Sequence, residues 1–127
     1  MGQIKVLVVD DDALFRRVLC ESLELEKDLQ VVGEAADGEE AISKAQEFIP
    51  DVILMDLKMP KMNGAAATRY IKSKEPKIKV IMLSAYVDKQ LIAESLQAGA
   101  NAYLLKDQPL QNIIRTIRIV CHAPEWY

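Results

Sequence analysis

Short apolar runs alternate with longer amphipathic stretches along the whole chain, and this alternation restricts the fold more than any other feature. The short runs have the length of strands, and Ile4–Val9 and Val52–Met55 are apolar enough to be buried on both faces. The longer stretches repeat their apolar residues at helical spacing. Because parallel strands are joined by long crossovers that are usually helices, the pattern predicts a doubly wound α/β domain with helices on both faces of a parallel sheet.

Turn and cap residues divide the chain into five strand–helix pairs. Asp12 (or Asp11) is expected to cap the first helix and Asp37 the second. In the first helix, Leu14, Val18 and Leu19 recur at helical spacing. The predicted strands are residues 4–9, 29–35, 52–55, 78–83 and 101–105, and the predicted helices are 13–25, 38–49, 65–73, 88–98 and the stretch from Pro109 to Pro124.

Length and composition exclude several classes of function. A chain of 127 residues suffices for one domain with a core of its own, here residues 1–127. The net charge of −3 gives no reason to expect nucleic-acid binding by this domain, and no apolar run is long enough to span a membrane. Cys20 and Cys121 lack the spacing of a metal or redox site. With no signal peptide visible, we expect a cytoplasmic protein.

Polar side chains follow four of the predicted strands. Asp10 and Asp11 follow the first strand, Asp56 the third, Ser84 the fourth and Lys106 the fifth. In open α/β sheets, ligands bind outside the carboxyl ends of the strands, where the strand order reverses. If the order is 2-1-3-4-5, the first and third strands flank that point. The three carboxylates would then share one pocket, with the hydroxyl and the ammonium group beside them.

The chemistry of such a pocket favours phosphoryl transfer. Three adjacent carboxylates cannot all remain ionised at low cost without a cation, and Mg²⁺ suits one or two carboxylates, waters and a phosphate. Lys106 and Ser84 could neutralise and hold phosphoryl oxygens while a carboxylate attacks phosphorus in line. A single acidic residue after a strand is more often a helix cap. Complementary groups at four strand ends are hard to attribute to caps alone.

Four segments contain the polar residues at the strand ends: Val8-Val9-Asp10-Asp11-Asp12, Asp56-Leu57-Lys58-Met59-Pro60-Lys61-Met62-Asn63-Gly64, Leu83-Ser84-Ala85 and Gly99-Ala100-Asn101-Ala102-Tyr103-Leu104-Leu105-Lys106. In these motifs, and over essentially its whole length, the chain resembles the response-regulator receiver domains of two-component systems. Residues 32–41 and 105–107 are similar to the NarL/LuxR-type branch. The resemblance implies a flavodoxin-like (βα)5 fold.

The resemblance assigns a role to each site residue. It implies Asp56 as the phosphoacceptor, and Mg²⁺ (or Mn²⁺ in its place) held by Asp10, Asp11, Asp56 and the backbone carbonyl of Lys58. It implies that Lys106 pairs with the phosphoryl group and that Ser84 and Tyr103 form the switch. Many receivers have proline after the lysine, with a cis peptide before it, whereas this chain has Asp107. Because a cis bond without proline costs about 3–4 kcal/mol, its presence here cannot be assumed.

The resemblance also implies partners. A sensor histidine kinase, or a small phosphodonor, would supply the phosphoryl group, and the domain would catalyse only its own phosphorylation and dephosphorylation. The first and fifth helices would form a phosphorylation-dependent homodimer. Relatives of the NarL/LuxR type usually continue into a helix-turn-helix domain, so DNA is expected to be bound by such an output domain beyond residue 127. A complete single-domain regulator is the alternative.

Two other functions compete with the receiver interpretation. Val9-Asp10-Asp11-Asp12 also resembles the Asp-x-Asp motif of haloacid-dehalogenase-type phosphatases, with Asp10 as nucleophile and Asp12 as acid/base. That class needs further acidic metal ligands and usually a longer chain, and it leaves Asp56 unexplained. The second competitor is a non-phosphorylated pseudo-receiver that serves only as an interaction module. The intact set of acidic residues, Ser84 and Lys106 argues against it.

Overall fold

Strands and helices alternate as the hydrophobic pattern predicts, and the computed structural model describes them for residues 2–122. The five strands are parallel and lie in the order β2-β1-β3-β4-β5, which confirms the predicted flavodoxin-like topology. The helix end predicted at Pro124 lies outside the described residues. The strands are β1 Ile4–Val9, β2 Leu29–Ala35, β3 Val52–Met55, β4 Lys79–Ser84 and β5 Ala102–Leu105, and the helices are α1 Ala13–Glu24, α2 Gly38–Phe48, α3 Gly64–Lys74, α4 Lys89–Gln97 and α5 Leu110–His122.

The sheet separates two apolar cores. Successive side chains of a strand point to opposite faces, so neighbouring residues of the central strands enter different cores. Val8 and Leu54 pack with α1 and α5 on one face, whereas Val9 and Ile53 pack with α2 and α3 on the other. Both central strands are therefore covered on both sides, and the polar residues that follow them are held by a rigid edge.

Helix α1 packs through a different face from the one its first apolar residues indicate. Leu19, Cys20 and Leu23 are buried. Leu14 and Val18, which recur with Leu19 at helical spacing in the sequence, are instead 73% and 54% exposed. With about 3.6 residues per turn, those two residues lie roughly opposite Leu19 and Leu23 on the helix.

Caps fix the ends of the helices. Asp12 accepts hydrogen bonds from the first turn of α1, and Asp37 accepts one from the amide of Glu40, as expected of N-caps. Observed helix and strand ends differ from the predicted ones by at most a few residues.

Every peptide bond of the described residues is trans, including the Lys106–Asp107 bond that the sequence left open. Among residues 2–122, no helix has the length and apolar character that a membrane span requires.

Candidate functional site

The sheet itself places the predicted site residues, because the residues that follow the strands continue the backbone ladder. The Asp56 amide donates to the Val9 carbonyl at 2.9 Å, and the Lys106 amide donates to the Ser84 carbonyl at 2.8 Å. Asp10 comes directly after Val9 at the end of β1. The polar groups predicted from four separate strand ends thus emerge from one edge of the sheet.

A cluster of three carboxylates lies at this edge. Oxygen atoms of Asp10, Asp11 and Asp56 lie within 4.8 Å of one another, and within residues 2–122 this is the one group of three or more acidic, His or Cys side chains that could hold a metal ion. Asp10 and Asp56 are buried, whereas Asp11 is exposed. The predicted meeting of the three residues is confirmed. Such an oxygen-only set fits a hard divalent cation, with the exposed side left for waters or a ligand.

Lys106 supplies a positive charge inside the cluster. Its Nζ lies 2.7 Å from Asp10 Oδ2 and 3.4 Å from Asp56 Oδ1, and 4.7 Å from the centre of the Phe15 ring. Burial lowers the pKa of Lys106, but the hydrogen bonds and charges of the two carboxylates outweigh burial, and the net effect raises the pKa. The ammonium group therefore stays charged, although one cation does not neutralise three carboxylates.

The pKa of Asp56 is raised by its surroundings. Burial is the main cause that raises its pKa to about 7, and the negative charge of Asp10 raises it further, while Lys106 acts in the opposite direction. The ionised form, which is the nucleophilic form of a carboxyl group, is therefore disfavoured in the cluster as it stands. A divalent cation bound beside Asp56 would favour ionisation.

The β4–α4 loop connects the remaining predicted residues through Tyr86. The fully buried Ser84 Oγ accepts a hydrogen bond from the Tyr86 amide at 3.0 Å, and the Tyr103 hydroxyl donates to the Tyr86 carbonyl at 2.8 Å. The Lys58 ammonium lies 4.2 Å from the centre of the Tyr86 ring. Sequence reasoning missed Tyr86, since its position two residues after Ser84 carries no signal of these three contacts.

The β3–α3 loop folds back against the backbone of Asp56. A Cβ atom at Gly64 would lie 2.1 Å from the Asp56 carbonyl oxygen and 2.9 Å from Met55 Cγ, so no side chain fits there. The Gly64 amide donates to the Leu57 carbonyl at 2.7 Å, and Asn63 caps α3. The spacing of the Met-Pro-x-x-x-Gly segment therefore reflects a close approach of two backbone segments beside the carboxylate cluster.

Removing the Asp56 charge should stabilise the metal-free protein in a pH-dependent way. The pKa of Asp56 is about 7 in the folded protein and about 3.9 when unfolded, so the folded state is penalised for ionisation. The stability gain of Asp56→Asn over the wild type should be small near pH 4, grow up to pH 7 and level off above it at about 1–3 kcal/mol. Urea denaturation in EDTA across this pH range measures the difference.

Asp107→Asn is the matched control, because Asp107 is an exposed aspartate beside Lys106 and outside the cluster. Its stability difference from the wild type should stay nearly constant over the same pH range. A gain for Asp56→Asn that shrinks as the pH rises would contradict the raised pKa.

Comparison with known proteins agrees with this geometry. Residues 6–118 match the family model of the response regulator receiver domain. The transcriptional regulatory protein LnrK of Bacillus subtilis is 42% identical over 117 residues, which cover 92% of this chain and 53% of LnrK. The response regulator protein VraR of Staphylococcus aureus is 44% identical over 115 residues, covering 91% of this chain and 55% of VraR. The chain spans about half the length of these curated relatives.

Solved structures show the same fold over nearly the whole chain. The signal receiver domain of the putative response regulator NarL from Mycobacterium tuberculosis superimposes with a TM-score of 0.93 at 33% identity. The match covers 98% of this chain and 100% of that domain. The chain therefore belongs to the response regulator receiver domain family of two-component systems and resembles the NarL/LuxR-type members of that family.

Proposed function

We propose that the protein receives a phosphoryl group on Asp56, in a transfer that depends on Mg²⁺ (or Mn²⁺). A sensor histidine kinase or a small phosphodonor is the proposed source. The observation that carries the proposal is the convergence of Asp10, Asp11 and Asp56 within 4.8 Å, with the Lys106 ammonium 3.4 Å from Asp56. This arrangement combines a nucleophile, an oxygen-only metal site and a mobile cation.

In the proposed transfer, a carboxylate oxygen of Asp56 attacks phosphorus in line as the bond to the donor breaks. Asp10, Asp11, Asp56 and the backbone carbonyl of Lys58 would hold the metal ion, which when bound would neutralise phosphoryl oxygens. Lys106 already lies between two carboxylates and could move toward the incoming group. Positioning and charge neutralisation account for most of the catalysis in such transfers. On this proposal the domain catalyses only its own phosphorylation and dephosphorylation.

The contacts of Asp12 argue against the phosphatase alternative. That mechanism requires Asp12 as acid/base beside a nucleophilic Asp10. Asp12 Oδ1 instead accepts hydrogen bonds from the Leu14 and Phe15 amides, each at 3.1 Å, at the start of α1. The Asp10 carboxylate accepts a hydrogen bond from the Asp12 amide and forms an ion pair with the Lys106 ammonium. The Asp12 carboxyl therefore serves as a helix cap, whereas the phosphatase mechanism requires it as an acid/base.

Phosphorylation by acetyl phosphate with Mg²⁺ should map to Asp56. Wild-type protein should gain the mass of one phosphoryl group, Asp56→Asn should gain none, and Asp10→Asn should still be modified at Asp56 but more slowly. Intact-mass spectrometry with peptide mapping after reductive trapping measures this. Asp107→Asn serves as the control and should behave like the wild type.

Two other results would each support one of the competing functions. Modification that persists in Asp56→Asn and disappears in Asp10→Asn would favour the phosphatase. No modification of the wild type by acetyl phosphate or by a kinase would favour the pseudo-receiver.

We further propose that Ser84 and Tyr103 form the switch. Both residues contact Tyr86: Ser84 through its hydroxyl oxygen and Tyr103 through its hydroxyl donor. If Ser84 turns toward a phosphoryl group on Asp56, its bond with the Tyr86 amide breaks. The loop that holds the Tyr103 hydroxyl is then free to shift, so a change at the sheet edge would reach the surface of β5.

A phosphoryl mimic should change the environment of Tyr103. With beryllofluoride and Mg²⁺, the ring resonances of Tyr103 in tyrosine-labelled protein should shift, whereas those of Tyr70 on α3 should not. Ser84→Ala should retain beryllofluoride binding and lose most of the Tyr103 shift. Unchanged Tyr103 signals in the beryllofluoride-bound wild type would refute the coupling.

The surface of α1 and α5 is the proposed site of a phosphorylation-dependent homodimer. Leu14, Val18 and Ile119 are more than half exposed on these two helices. Phe15, Val18 and Leu110 line part of a groove of about 150 Å³ beside them. Burial of these side chains against a second copy would remove apolar surface from water.

Beryllofluoride should therefore raise the dimer fraction in analytical ultracentrifugation. Leu14→Asp should reduce that fraction, because it places a charge in the proposed interface. Leu96→Asp, at a half-exposed leucine on α4, is the matched control and should leave it unchanged. If only the control variant prevents dimerisation, the interface lies on α4 instead.

The output is proposed to be transcriptional. LnrK is a transcriptional regulatory protein, and this chain matches about half of its length. We infer that the full-length protein carries a helix-turn-helix DNA-binding domain beyond residue 127 and acts in the cytoplasm. The gene sequence beyond codon 127 tests this directly, because a stop codon there would indicate a single-domain regulator.

A further inference from the structure

Arg16 reaches from α1 to the backbone of the acidic loop, which is residues 10–12 between β1 and α1. One terminal nitrogen of its guanidinium donates to the Asp10 carbonyl oxygen at 2.5 Å, and its Nε lies 3.0 Å from Glu34 Oε1. The Arg16 side chain is only 19% exposed. These contacts occupy the planar donor fork of the guanidinium from two directions, which restricts the orientation of the group.

Glu34 is itself well anchored as the partner of Arg16. It pairs with Val8 in the register of β2 against β1, which places it near the end of β1 where the acidic loop begins. Its backbone carbonyl accepts a hydrogen bond from the Lys44 ammonium on α2. Arg16 therefore connects the acidic loop to a sheet position that a second helix also holds.

The Asp10 carbonyl belongs to the peptide unit that joins Asp10 to Asp11. The orientation of this unit decides how the Asp11 side chain is directed relative to Asp10, and oxygens of both side chains lie in the carboxylate cluster. Arg16 binds the carbonyl and leaves the carboxylate oxygens available. Its position outside every motif of the family resemblance explains why the sequence did not single it out.

We propose that Arg16 is a positioning residue for the divalent-cation site, with Glu34 as the group that orients it. Arg16 holds the Asp10–Asp11 peptide so that both carboxylates converge before the cation arrives. This inference rests on the proposed function, since it concerns the same metal site. Partners of metal ligands that act in this way typically change metal affinity about 10- to 100-fold when removed.

The direction in which Mg²⁺ affinity changes distinguishes a positioning role of Arg16 from a purely electrostatic one. Removal of a positive guanidinium near a cation site should strengthen cation binding if only Coulomb forces act. Loss of a positioning contact should weaken binding, because the loop must then be ordered when the cation binds. Weaker binding in an Arg16 variant is thus opposite to the electrostatic expectation.

The test is the Mg²⁺ dissociation constant of the unphosphorylated protein, measured by titration calorimetry. Arg16→Met should raise this constant about 10-fold. Arg16→Lys, which keeps the charge but cannot form both contacts, should raise it by a smaller factor. Arg17→Met is the matched control, because Arg17 lies 3.8 Å from the same Glu34, is 63% exposed and should leave the constant unchanged or lower it.

A second measurement excludes a merely structural role. At saturating Mg²⁺, acetyl phosphate should phosphorylate Arg16→Met at the wild-type rate. Only the Mg²⁺ concentration that gives half of this rate should be higher in the variant. If Arg16→Met does not fold, Arg16→Lys carries the test alone. Unchanged Mg²⁺ affinity in a folded Arg16 variant overturns the inference while leaving Asp56 phosphorylation intact. A wild-type protein that binds no Mg²⁺ at millimolar concentration overturns the proposed metal site and this role together.

Discussion

Mutual repulsion among three carboxylates at one edge of the sheet is the constraint on which the rest of this site depends. Oxygens of Asp10, Asp11 and Asp56 lie within 4.8 Å of one another, and two of the residues are buried. Each pair of charges at such a distance repels by about 3–4 kcal/mol at the effective dielectric near a protein surface. The core must offset this cost. Both central strands are packed on two faces, so the edge cannot relax by moving the strand ends apart.

The surrounding groups partly compensate for this repulsion. Lys106 places its ammonium between Asp10 and Asp56 and favours the ionised form of Asp56, but burial and the charge of Asp10 outweigh this and raise the pKa of Asp56. Arg16 directs its guanidinium to the Asp10 backbone carbonyl and to Glu34, and not to a carboxylate of the cluster. The cluster therefore keeps an excess of negative charge in a preorganised geometry, and binding of a divalent cation would relieve it. A phosphoryl group adds further negative charge, so the proposed acceptance of that group requires the cation first.

The same arrangement explains how a local change could spread. Ser84 and Tyr103 both contact Tyr86, and the Lys58 ammonium lies over the ring of that residue. A side chain that moves toward the cluster would release a contact with the loop. The β4–α4 loop is thus the element that the proposed switch would move.

Much of this could be predicted from the sequence, and the exceptions have a common cause. The alternation of strands and helices follows from the hydrophobic period. The meeting of Asp10 with Asp56 follows from the rule on strand ends once the strand order 2-1-3-4-5, which the family resemblance implies, is adopted. The exposure of Leu14 and the roles of Tyr86 and Arg16 were missed. Each depends on side-chain contacts between separate elements, such as the pair of Arg16 with a glutamate on β2, and no spacing encodes those contacts.

We infer that the three carboxylates form one metal site beside the acceptor oxygen of Asp56. A crystal structure with Mn²⁺ and beryllofluoride tests this most directly, because the anomalous signal locates the ion independently of any assumption about its ligands. We expect one Mn²⁺ ion bound by Asp10, Asp11 and Asp56, beryllofluoride on Asp56, and the Lys106 ammonium moved from Asp10 to a fluoride. An ion bound elsewhere, or beryllofluoride on Asp10, would contradict this inference.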